Sequence, residues 1–165
     1  MTSCQEGRIA QPLGDGLYLI DTGYVRPGLA ASHLVVDQGR AAFVDTGPGP
    51  AAPRLLAALD ELGLAREQVD YLFLTHVHLD HAGGAGQMMQ ALPNARAVLH
   101  PRGAPHLVDP SKLIAGTIAV YGDAVYRQLY GELLPIPADR VLQMADGMRL
   151  QLGARTFEFI DAPGH

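Results

Sequence analysis

Among its 165 residues the chain has a single cysteine, Cys4. One thiol excludes an internal disulfide framework and leaves no thiolate set for a closed structural zinc site. It fits a reducing compartment, and Cys4 itself reads as a bland residue near the N-terminus. Clusters of positive charge are missing too. The 12 Lys and Arg are scattered against 17 Asp and Glu, for a formal net charge of −5. No basic face is expected to bind nucleic acid. No run approaches the roughly 18 apolar residues that cross a bilayer, and the start lacks the basic-then-apolar pattern of a secretion signal. The expected location is the cytoplasm, with no membrane partner. Internal repeats and low-complexity segments are also absent. Asp21-Thr22-Gly23 recurs as Asp45-Thr46-Gly47, but the flanks do not match.

What is present is an ordinary globular composition, 48% hydrophobic and 18% charged, at a length that suits one domain over residues 1–165. Gly16 to Asp21 reads as a first strand, and Ala30 to Val36 and Ala41 to Val44 as a hairpin turned by Asp37-Gln38-Gly39-Arg40. Asp45-Thr46-Gly47-Pro48-Gly49-Pro50 continues neither strand nor helix. Leu55, Leu56, Leu59 and Leu62 fall at helical spacing before Gly63. Tyr71 to Leu74 reads as a strand covered on both faces, and Gly86 to Leu92 as a short helix before a strand at Ala95 to Leu99. One long helix is expected from Ser111 to Leu129, weakened by Gly116 and Gly122, then short strands at Val141-Leu142, Met148 to Leu152 and Thr156 to Ile160. Alternating strands and helices argue for a layered α/β domain.

The densest chemistry is Thr75-His76-Val77-His78-Leu79-Asp80-His81-Ala82-Gly83-Gly84, directly after the Tyr71 to Leu74 run. In extended backbone, His76 and His78 face the same side. Neutral imidazoles suit zinc, iron or copper and not calcium or magnesium. Asp80 and His81 reach the same cavity if the chain turns sharply into a helix, a turn for which Gly83 and Gly84 supply backbone freedom. Four donors exceed the three that one open catalytic metal takes, which suggests two metals. The plainer alternative is a polar turn with Asp80 as a helix cap.

The segment Thr75 to His81 resembles the His-x-His-x-Asp-His signature of the metallo-β-lactamase superfamily. Phe43-Val44-Asp45-Thr46-Gly47 resembles its upstream strand ending in Asp-x-Gly, and Ala162-Pro163-Gly164-His165 its downstream histidine element. The resemblance implies an α/β fold, the first half of a four-layer αββα sandwich, with the sequence breaking off at the third metal-ligand motif. The single domain is then expected to be incomplete at its C-terminus, since a natural half-domain would leave one sheet face uncovered and the second metal site incomplete. His76, His78 and His165 would hold the first metal, and Asp80 and His81 would contribute to the second. Two zinc ions are implied, with iron or manganese as substitutes. Asp80 would be the catalytic residue that orients the attacking water, and Asp45 would stand behind the ligands and fix a histidine tautomer.

The implied activity is hydrolysis of a small ester, thioester or lactone by a metal-activated hydroxide. Alternatives on the same scaffold are an iron-dependent persulfide dioxygenase, a phosphodiesterase or nuclease, and a non-catalytic metal-binding half-domain. The expected partners are a small-molecule substrate and a second copy in a homodimer. The region of about residues 111–132 reads as a helical insertion and a candidate lid. His100, His106 and Tyr121 are candidates for the substrate cleft, against a surface-turn reading for the histidines and simple packing for Tyr121, Tyr126 and Tyr130. His33 reads as a sheet histidine, not a ligand.

Overall fold

The structure, a computed structural model, describes residues 7–163. Cys4 and His165 lie outside the described residues. The main sheet has seven strands that lie side by side in sequence order: β1 (Gln11–Gly14), β2 (Leu17–Asp21), β3 (Ala31–Asp37), β4 (Arg40–Val44), β5 (Val69–Phe73), β6 (Arg96–Leu99) and β7 (Val141–Gln143). Neighbours from β1 to β4 pair antiparallel, and those from β4 to β7 pair parallel. The switch follows from the connections. Gln38 and Gly39, with φ of 48° and 74°, close the β3–β4 hairpin as a two-residue turn whose twist matches its strands. After β4, helical crossovers bring each new strand back in parallel.

Strand alternation sorts the residues of this sheet onto two covered faces. Ala41 and Phe43 of β4, Leu72 of β5 and Ala97 and Leu99 of β6 join the core under the helices α1 (Ala52–Glu61) and α3 (Ala85–Ala91). Ala42, Phe73 and Val98 point the other way, into a second core closed by Leu152, Phe157 and Phe159. Leu152 and Phe157 come from the small antiparallel sheet of β8 (Arg149–Leu152) and β9 (Arg155–Glu158). The Phe73 ring lies 4.8 Å from that of Phe157 and 5.6 Å from that of Phe159, which ties sheet to sheet. The layers are helix, sheet, sheet. The second face is therefore covered at its centre within the described residues.

Other expectations shift in detail. β1 was not foreseen, because its four residues, Pro12 among them, are all exposed and carry no strand alternation. The long helix is two: α5 (Ser111–Tyr121) and α6 (Asp123–Tyr130) meet at Gly122, whose φ of 81° ends one and starts the other. α2 (Leu79–Ala82) and α4 (Ala104–Val108) are too short for periodicity to reveal. No helix among the described residues is long and apolar enough to cross a membrane.

Candidate metal centre

The parallel strands β4, β5 and β6 end together, with Val44 beside Phe73 and Phe73 beside Val98. The loops that follow are therefore neighbours at one sheet edge, where strand ends in α/β folds carry sites. Asp45 leaves β4 with φ 58°, a left-handed conformation rare outside glycine, asparagine and aspartate. Its amide donates to Phe73 O at 2.8 Å, which holds the two strand ends in line.

The histidine loop wraps around that aspartate. Asp45 is 7% exposed, and its carboxylate accepts from Thr75 N at 2.8 Å, from Thr75 Oγ1 at 2.8 Å, and from His81 Nδ1 at 2.9 Å. In return the amides of Thr46 and Gly47 donate to His81 O at 2.7 and 3.1 Å. Gly84 N donates to Gly47 O at 2.8 Å. The two loops are stitched along both edges.

α2 is entered from His78, whose backbone is extended and whose carbonyl accepts from the amides of His81 and Ala82. Asp80 lies inside the first turn and does not cap the helix, so the plainer reading of the cluster as an Asp80 cap fails. Gly83 and Gly84 both have right-handed helical φ and ψ, so backbone freedom is not their use. A Cβ on Gly83 would collide with Leu79 O and sit 3.2 Å from Pro48 Cα, and one on Gly84 would sit 3.2 Å from Pro48 O. Close approach, of Leu79 O at Gly83 and of the Asp45–Pro48 loop at both, favours glycine at the two positions.

This arrangement gathers the predicted donors. The ring of His76 lies 4.7 Å from that of His78 and 4.3 Å from that of His81, centroid to centroid. His81 Nε2 is 3.5 Å from Asp80 Oδ2. Among the described residues no set of three or more His, Cys, Asp or Glu side chains stands arranged to hold a metal ion. The donor chemistry nonetheless fits one. Adjacent imidazoles and a carboxylate are the groups that borderline metals take, and His81 is held by a carboxylate as metal-binding histidines are. The third imidazole expected for the first ion, His165, falls outside the described residues.

Beside the cluster opens a cleft of about 290 Å³, walled by Tyr24, His78, Asp80, Leu113, Tyr121 and Tyr130 among others. Tyr130 is 7% exposed, and its hydroxyl lies 3.0 Å from that of Tyr24. Burial pushes its pKa well above the ordinary phenol value, helped by the bond to Tyr24 and by the charge of Asp80. Tyr121, expected as a cleft candidate, does line it, while Tyr126 packs inside. His100 and His106 do not. His100 Nδ1 accepts from Arg102 N in the turn after β6, and His106 sits on the exposed side of α4. Their sequence signal was that of a surface turn. Tyr130, read from the sequence as packing, also lines the cleft, and Thr75 and Tyr24 were missed as site residues, since a lone hydroxyl carries no spacing pattern. His33 lies in β3 between Leu19 and Val44. A second cleft of about 230 Å³ near Asp21 and Gly28 shares no residue with the histidine cluster.

The family model of the metallo-beta-lactamase superfamily matches residues 25–165. The chain belongs to the metallo-beta-lactamase superfamily. Hydroxyacylglutathione hydrolase of Salmonella paratyphi A is 37% identical to it over 94 residues, 54% of this chain and 34% of that protein. The Salmonella typhi enzyme of the same name is 36% identical over the same shares. The matched part spans about a third of the length of these curated relatives. A subclass B3 metallo-beta-lactamase from a soil metagenome library superposes with TM-score 0.71 at 23% identity, over 96% of this chain and 54% of that one. A metallo-beta-lactamase from Legionella gormanii does so with TM-score 0.62 at 23% identity, over 90% and 49%. At these identities the two structures share the superfamily fold and speak to nothing finer. The relatives are hydrolases by name, and the αββα half expected from the sequence is the part of the fold they align with.

Proposed function

We propose that the protein is a metal-dependent hydrolase of a small ester, thioester or lactone. The observation that carries this reading is the packing of His76, His78, Asp80 and His81 around one loop anchored on Asp45, at the mouth of the tyrosine-walled cleft. The names of the curated relatives support a thioester among the substrates. Zinc is the proposed ion, at two sites, with iron or manganese as substitutes. His76, His78 and His165 are assigned to the first site, and Asp80 and His81 to the second.

When bound, such an ion supplies Lewis acidity and lowers the pKa of water to about 7. The chain's own part is to bind, orient and move a proton. Asp80 orients the attacking water and takes its proton. Tyr130, kept protonated by burial, stays a hydrogen-bond donor at the cleft wall and does not serve as a base. Leu113 and Tyr121 put the α5–α6 pair on the cleft, which supports reading the region of about residues 111–132 as a lid that sets substrate size. The cytoplasm, proposed on the single thiol, and a homodimer belong to the same reading.

Metal analysis and turnover by the longest available form of the protein test it together. Two zinc equivalents and oxygen-independent cleavage of a hydroxyacylglutathione or lactone are expected. One iron and oxygen uptake with a persulfide would replace the hydrolase by the dioxygenase. Trimming α5 should change substrate range and leave metal content intact.

A further inference from the structure

Asp45 reaches a second histidine through Thr75. The Thr75 hydroxyl is 2.8 Å from Asp45 Oδ2 and 3.0 Å from Oδ1, and on its other side 2.9 Å from His76 Nδ1. The protons along this path can be counted. A carboxylate only accepts, so the single proton of the threonine hydroxyl goes to Asp45. With that proton committed, Thr75 Oγ1 can only accept from the imidazole, which places a proton on His76 Nδ1. The same carboxylate accepts directly from His81 Nδ1 at 2.9 Å. In a neutral imidazole one nitrogen carries the proton and the other keeps the lone pair. Both rings are thereby left with Nε2 as the donor atom.

We infer that Thr75 is a positioning residue, and that the one carboxylate of Asp45 sets the tautomers of two histidines, His81 directly and His76 by relay through the threonine hydroxyl. This deepens the metal-site reading, since an imidazole binds an ion only through its unprotonated nitrogen, but the relay itself is a property of the metal-free chain. It assigns Thr75 a role that serine can fill and valine cannot. Valine keeps the branched shape and removes both the donor and the acceptor.

The experiment is nitrogen-15 NMR of the histidine rings in the metal-free protein, about two units above the ordinary imidazole pKa of about 6.5. Both His76 and His81 are expected as Nδ1–H tautomers. In Thr75→Val the Nδ1–H preference at His76 should be lost while His81 keeps its own, and Thr75→Ser should restore the wild-type pattern. Zinc titrated alone should bind about 10–100-fold more weakly to Thr75→Val than to the wild type or Thr75→Ser. A wild-type His76 protonated at Nε2, or an Nδ1–H preference unchanged in Thr75→Val, overturns the relay. The wild-type measurement decides by itself if the valine variant does not fold. A chain with both Nδ1–H tautomers and no affinity for zinc upholds the relay and removes the hydrolase reading, so the two fail separately.

Discussion

The hydroxyls of Tyr24 and Tyr130 share a hydrogen bond of 3.0 Å across a sequence separation of 106, with their rings stacked at 5.9 Å. The pair fastens the loop after β2 to the end of α6 at the cleft wall. Tyr24→Phe and Tyr130→Phe should each destabilise the protein by about 0.5–1.5 kcal/mol. Because both remove the same bond, the double variant should cost less than the sum. Denaturant unfolding of the four proteins measures this coupling, and strict additivity would mean the hydroxyls do not interact.

Tyr130 also predicts a pH dependence. Burial, then the bond to Tyr24, raises its folded-state pKa above the ordinary 10.0. Above that value the unfolded chain releases the proton first, so the folded state binds more protons and stability falls as pH rises. The contribution is fully present below about pH 10 and lost above it. Thermal melts from pH 8 upward should show a steeper alkaline loss in wild type than in Tyr130→Phe.

Asp45 should be the most sensitive polar position at the site. Asp45→Ala leaves the Thr75 amide and His81 Nδ1 without their acceptor in a part-buried place, at a cost of about 1–2 kcal/mol. Asp45→Asn tolerates the left-handed backbone and should fold better. Its amide nitrogen cannot accept from His81, so zinc affinity should still drop. Calorimetric unfolding and zinc competition separate the two effects.

Removing a proposed metal donor should act differently. His78 is exposed, and His78→Ala is expected to alter stability by no more than about 0.5 kcal/mol while abolishing metal uptake. Undiminished metal content and activity in this variant would contradict the assignment of the cluster.

Gly86 packs where no side chain fits. A Cβ there would stand 2.2 Å from Leu134 O. Gly86→Ala should therefore cost about 1–3 kcal/mol, despite the better helix propensity of alanine, because α3 must back away from the chain after α6. A neutral or stabilising effect on the melting temperature would show that this contact yields.

The layered α/β class and the clustering of histidines and aspartate after β5 were legible in the chain for local reasons. The helix α1 repeats its leucines at one face, β5 is a short apolar run, and His76, His78, Asp80 and His81 fall within six positions. Such features need only neighbours in sequence to be seen. The role of Gly83 and Gly84 was misread because close approach and backbone freedom leave the same residue type behind. The split at Gly122 was signalled by the glycine itself, but helical spacing continues across it.

By itself the sequence determined the periodicities, the proposed donor set and the family, since each is written in spacing along the chain. Only the tertiary structure decided what meets that donor set. Asp45 reaches His81 over 36 positions, Tyr24 reaches Tyr130 over 106, and β8 and β9 return to cover Phe73. Those partners are chosen by strand order and by which loops the parallel strand ends bring side by side. They are properties of folded space, and no local pattern of residues carries them.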